Sequence, residues 1–255
     1  MKRLWIAAAI ALMAASSATA QPASPGTAAQ QVIRQARMQE MNAQMARVQN
    51  QLMQLNQRLL PMPVHQGFKD LGGNMAQVWE RLRVMETHRE QLQAEPVIAG
   101  DCERLRAMER VQDRLRVMNR EMTEAFDALS VVVAMPARPG SPPDAAEQMV
   151  RAQRQQETEQ VINRTNERLK ALDAWSKEDR VLAPAKELTK DVLLLRDRLT
   201  QMKKACDRIA EDPAMEPDRD RLREVNHVRH RLEAMFRETE EFCEALESAV
   251  TPATT

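Results

Sequence analysis

The stretch Asp101–Leu129, DCERLRAMERVQDRLRVMNREMTEAFDAL, recurs as Asp218–Leu246, DRDRLREVNHVRHRLEAMFRETEEFCEAL; aligned without a gap, 13 of the 29 positions are identical. A self-match of that length marks a repeated structural unit rather than a short motif. Shared positions include Asp101/Asp218, Arg114/Arg231, Leu115/Leu232, Met118/Met235, Glu121/Glu238 and Leu129/Leu246. The same offset, 218 − 101 = 117, carries further in both directions. It pairs Pro25 with Pro142, Arg34 with Arg151, Leu52 with Leu169, Leu71 with Leu188, Met85 with Met202 and Pro96 with Pro213. A helix-breaking proline and a helix-starting aspartate falling in register argue for tandem duplication of one domain.

Within each copy the apolar residues recur at alternating spacings of three and four, the signature of a helix packed along its length. In the first copy the stripes are Met38, Met41, Met45, Val48, Leu52, Leu55 and Leu59; then Phe68, Leu71, Met75, Val78, Leu82, Met85 and Leu92; then Leu105, Met108, Val111, Leu115, Met118, Met122, Phe126 and Leu129. The second copy repeats the plan with Ile162, Leu169, Leu172 and Trp175; then Leu188, Val192, Leu195, Leu199, Met202, Cys206 and Ile209; then Leu222, Val225, Val228, Leu232, Met235, Phe242 and Leu246. Thr27, Asp101, Asp144 and Asp218 are suited to cap helix starts. Gly72-Gly73 predicts a kink, or a helix that begins at Asn74. Where the first copy has Met38, Met41 and Val48, the second has Gln155, Thr158 and Thr165, which marks a soft spot or a contact face.

Together these features predict an all-α protein: a tandem duplication of an elongated antiparallel three-helix bundle with coiled-coil packing and spectrin-repeat-like proportions. The expected organisation is a signal peptide over 1–20, bundle repeat 1 over 21–132, a Pro-rich linker over 133–143, bundle repeat 2 over 144–249 and a disordered tail over 250–255. The linker, rich in Pro and Gly, cannot continue a helix between the halves, so each half is expected to fold alone.

Lys2 and Arg3, the apolar run Leu4–Ala15 and the small-x-small signal Ala18-Thr19-Ala20 have the form of a cleavable secretory leader, with Gln21 first in the mature chain. No later stretch is apolar enough to span a bilayer, so no transmembrane segment is expected after cleavage. The expected location is periplasmic or secreted, in the bacterial envelope. Equal numbers of basic and acidic residues, 37 each, leave no basic footprint for nucleic acid.

Chemistry-bearing residues are few. Cys206 and Cys243 stand on apolar stripes, and a hairpin would separate them by about 30 Å, beyond the reach of a disulfide. They are expected to be buried small hydrophobes. Cys102 matches Arg219, a surface position, and is the candidate for an intermolecular disulfide or a free thiol. His227 and His230, with Glu224 one turn away, are the weak candidates for a metal site; imidazoles on a solvated face are the simpler reading. His65 and His88 are isolated in sequence. The 17 methionines mostly fall on the stripes, where packing accounts for them; Met53, Met62, Met135 and Met215 do not. Carboxylates sit beside arginines at helical spacing, as in Arg120/Glu124 and Arg237/Glu241, the pattern of solvated ion pairs. No phosphate loop, catalytic triad order or zinc motif is present in the sequence.

These features point to a non-enzymatic exported helical-bundle protein without cofactor, acting as a protein-interaction or structural module with a protein partner or by self-association. The alternative is a periplasmic metal-binding or stress-responsive protein using Met and His. A third reading is a chaperone-like binder of unfolded clients.

Overall fold

A computed structural model describes residues 66–135, 145–213, 215 and 218–251, together with part of 32–58. The expected leader, most of the linker and the C-terminal tail lie outside the described residues, as do the caps Thr27 and Asp144 and the stripe residues Met38, Met41, Met45, Val48, Leu52 and Leu59. The chain divides into two units, Met1–Glu40 and Met41–Thr255. The described residues of the first are helical, with Val32 and Ile33 exposed. The helices that pack around a core belong to the second.

Among the described residues every regular element is a helix. The described residues up to 58 are helical, and after them come α1 (Gln66–Ala94), α2 (Pro96–Ala99), α3 (Cys102–Ala134), α4 (Ala145–Ser176), α5 (Ala183–Glu211) and α6 (Arg219–Val250). None is long and apolar enough to cross a membrane. The Asp101 carboxylate accepts from the Glu103 and Arg104 amides at 2.9 and 3.2 Å and starts α3. Asp218 accepts from the Arg221 amide at 3.2 Å and starts α6. Each cap satisfies backbone donors that the first turn cannot bond internally. Both long helices run past the expected boundary of their half, α3 to Ala134 and α6 to Val250.

Gly72-Gly73 neither interrupts nor starts a helix. The sequence 66–94 is one helix, and Asn74 does not cap it: its amide donates to the Asp70 carbonyl one turn back at 2.8 Å. Gly72 is buried, and tertiary packing on this face outweighs the weak intrinsic preference of two glycines. The expected break at Pro96 is also softer than a simple stop, because Pro96 opens the one-turn helix α2 and seats Ile98 fully in the core.

The apolar stripes of α1, α5 and α6 are buried throughout, and so is that of α3 from Met108 onward. What they bury against differs from the expectation. The most extensive packing is α3 on α6, followed by α1 on α5, and both pairs join one half of the chain to the other. Two further contacts, α1 with α3 and α5 with α6, close these helices into a ring of four. The α4 helix flanks this ring, lying on α6 and α5. One hydrophobic core runs through both halves. The two bundles with separate cores expected from the sequence are therefore not how the chain packs.

The physical reason is the width of the buried face. A helix serving only a three-helix bundle needs one stripe. The α3 helix also buries Ala125, Ala128, Val132 and Val133, and α6 also buries Phe236, Ala245 and Ala249. The small residues let two helix backbones approach closely, so α3 packs on both α6 and α1, and α6 packs on α3, α5 and α4.

Directions follow from the pairs that meet. Arg114 meets Glu238 and Arg231 meets Glu121, so α3 and α6 are antiparallel. Asp70 meets Arg208 and His88 meets Asp191, so α1 and α5 are antiparallel too. The α4 helix runs parallel to α6: Thr165 reaches the Phe236 carbonyl, and Arg168 reaches Glu244 and Glu247. Gln51 and Asp127, which lie 117 residues before Arg168 and Glu244, also meet, at 3.5 Å.

Thr158 and Thr165 are not a surface. They are 3% and 0% exposed, and Thr165 donates at 2.9 Å to the Val161 carbonyl with the Phe236 carbonyl at 3.2 Å. A hydroxyl that returns its proton to a helix carbonyl can occupy an apolar seam. Met215, off the stripe in sequence, is buried in the turn before α6.

Candidate functional site

The charged side chains that helices draw inward form distinct groups. The first lies between α3 and α6. Arg114 Nη1 is 3.1 Å from Glu238 Oε2 and 2.6 Å from Glu241 Oε2. Arg231 is 3.1 Å from Glu121 Oε2 and 2.7 Å from Glu124 Oε2. Each residue of one set lies 117 positions from its counterpart in the other, and the identities are the same. The arrangement has the reciprocity of a two-fold axis passing between the helices. Glu124 and Glu241 were expected to pair along their own helices with Arg120 and Arg237. They cross to the other half instead, because antiparallel packing brings Arg231 and Arg114 within reach.

The second group lies between α1 and α5. Asp191 is 4% exposed. One of its oxygens accepts from Arg81 Nη1 at 2.7 Å, and the other is 2.6 Å from His88 Nδ1. His88, isolated in sequence, is thus one side of a carboxylate–imidazole pair spanning the two halves. With both Asp191 oxygens engaged, the carboxylate orients Arg81 and His88 and ties α1 to α5.

The third group is the most deeply buried. Arg89 in α1, 1% exposed, donates to Glu86 Oε1 from Nε at 2.9 Å and from Nη2 at 2.6 Å, and also pairs with Gln93. Burial pushes the Glu86 carboxyl above its ordinary range, against the pull of Arg89. The equivalent position in α5 is Cys206. Beside it, Asp207 joins Lys203 of α5, at 2.8 Å, to Arg229 of α6.

Of the weak metal candidates, His227 Nδ1 lies 3.1 Å from Glu224 Oε2 on the exposed side of α6, and His230 is exposed. Among the described residues, no three His, Cys, Asp or Glu side chains converge to hold a metal ion. His65 and Met62 lie outside the described residues. All three cysteines are free. Cys102 is exposed, whereas Cys206 and Cys243 are fully buried, and burial pushes each thiol up to about 12. A thiol buried and held neutral in this way is a poor nucleophile. Met75, Met85, Met108, Met118, Met122, Met202 and Met235 have no exposure at all, so their thioethers are core atoms.

Surface depressions are shallow. One of about 230 Å³ is lined by Arg110, Arg114, Glu241, Glu244, Ala245 and Ser248; another of about 410 Å³ by Gln201, Lys204, Asp207 and Arg208. Both are mixed in charge and open, and each is lined in part by side chains engaged in ion pairs. Apolar exposure is more distinctive. At the start of α4, Met149 is 74% and Val150 48% exposed; Val32 and Ile33, 117 residues earlier, are 65% and 51% exposed.

Sequence reasoning missed the cross-half groups. A signal for the first was available: Arg114, Glu121 and Glu124 all recur unchanged at the repeat offset. No comparable signal marks Asp191, whose equivalent is Asn74. The chain matches no protein-family model, no curated protein and no solved structure.

Proposed function

We propose that this is an exported, non-enzymatic helical protein of the bacterial envelope, built as a tandem duplication of a three-helix unit and acting by protein–protein contact. One observation carries the reading: the opening turns of α4 hold Met149 and Val150 out in solvent side by side, and the equivalent pair, Val32 and Ile33, is held out too. Adjacent exposed apolar side chains cost solubility and mark contact surfaces more often than scattered single ones do. The deeply placed charges support the same reading, since they are used to join helices. The leader-like segment Met1–Ala20 supports export.

The test is site-specific photocrosslinking in intact cells. A photoreactive residue at Val150 is expected to give one or a few discrete adducts in the envelope fraction. The same residue at Lys170, on the exposed side of α4, is expected to give none. Equal labelling from both positions, or none from Val150, would sink the proposal.

A further inference from the structure

We propose that the face each half turns toward the other also accepts the matching half of a second copy of this chain, so that two chains can exchange halves into a dimer. The interface is self-complementary. Arg114 meets Glu238 and Glu241 at 3.1 and 2.6 Å, and Arg231 meets Glu121 and Glu124 at 3.1 and 2.7 Å. Because the two sets are the same residues at the repeat offset, nothing in these contacts requires that both halves belong to one molecule.

What keeps the pairing within one chain is the connection between α3 and α4. The Arg221 guanidinium donates to the Met135 carbonyl, which sets the end of α3 beside the start of α6. The α4 helix, parallel to α6, begins at that same end. A short link there gives each half a high effective concentration of its own partner, and the closed monomer dominates in dilute solution. Anything that weakens the internal pairing while leaving the pairing to a second copy intact opens the exchange.

That condition can be built in the full mature chain. One variant carries Arg114→Glu and Arg231→Glu. The other carries Glu121→Arg, Glu124→Arg, Glu238→Arg and Glu241→Arg. Alone, each sets like charges against one another at both sites. Pairing the first half of one variant with the second half of the other restores opposite charges at every contact. The two are unfolded and refolded, separately and as an equimolar mixture, then followed by light scattering, helical circular dichroism and mass spectrometry of the complex. The expected result is a species of twice the single-chain mass containing both variants, with wild-type helical content, formed only in the mixture. If a variant alone fails to fold, its recovery in the mixture is the same result. A mixture that keeps the single-chain mass, or that regains no helix beyond what each variant has alone, overturns the proposal.

Discussion

The two contacts between the halves differ in kind. Between α3 and α6 the charges are reciprocal, each arginine gripping two glutamates of the other helix with nearly the same geometry. Between α1 and α5 they are not. Asp191 takes both Arg81 and His88, while the equivalent positions hold Asn74, Arg198 and Ala205, which cannot form that group. A neutral amide replaces the carboxylate and a methyl replaces the imidazole. The first interface has what a symmetric pairing needs. The second differs enough for each half to be told from the other. Among these charged groups, what distinguishes one half from the other lies in the α1–α5 pair.

The strongest way to break this picture is in the shared core. Leu115 and Leu232 are 0% and 1% exposed, on α3 and α6. Alanine at either is expected to cost about 2–5 kcal/mol. Because the core is continuous, the whole described bundle is expected to melt in one transition in both variants, with similar midpoints. Thermal unfolding followed by helical circular dichroism checks this; two resolved transitions, one unchanged, would restore the picture of insulated halves.

Next comes the asymmetric contact. Asp191→Ala leaves Arg81 and His88 facing each other without their carboxylate and is expected to cost about 1–3 kcal/mol, since both partners keep some solvent. Asn74→Ala, at the equivalent site, is expected to cost less than about 1 kcal/mol, its only described bond being local. Urea denaturation of the pair measures the difference, and equal losses would mean that α1 and α5 are not distinguished by charge.

A smaller effect of opposite sign is expected at Gly73. A methyl group added there would meet no atom within 4 Å. The second half already carries a side chain, Lys190, at the equivalent place. Gly73→Ala is expected to stabilise by about 0.5–1 kcal/mol through helix propensity. A destabilised variant would mean that this turn of α1 is held open for a contact the fold does not explain.

The finest test is of symmetry itself. Arg114 and Arg231 are about one-third exposed, so Arg114→Ala and Arg231→Ala are each expected to cost about 0.2–1 kcal/mol. The two losses should agree to within a few tenths and shrink together in salt. A large disparity, read from denaturant midpoints, would show that matching distances conceal unequal surroundings.

Much of the fold was legible in the sequence because helix periodicity is a local property. The stripes of α1, α5 and α6 and most of that of α3, the caps at Asp101 and Asp218, and the burial of Cys206 and Cys243 all follow from spacing. Partner choice is not local. A stripe says that a helix must be covered, and not whether its own half or the other half covers it. The small residues Ala125, Ala128, Ala245 and Ala249 held that information, but alanine is equally at home on a solvated helix face. The helix runs on through Gly72-Gly73 because intrinsic preference, about 1 kcal/mol for each glycine, is smaller than the packing that overrides it. Of the candidate site, the exposed pair Met149 and Val150 could not be told from core residues by type alone, and the His88–Asp191 contact joins positions 103 residues apart with no repeat to announce it.

The distance along the chain between paired helices also governs when the protein can fold. Arg81 and Asp191 are separated by 110 residues, and Arg114 and Glu238 by 124. As the chain is synthesised, α1 and α3 appear long before the helices that cover them from the other half. Their wide apolar faces must wait, and closing such long loops is slow compared with forming the helices themselves. Folding is therefore essentially post-translational, and the completed first half is the species most exposed to aggregation or to capture by a holding chaperone.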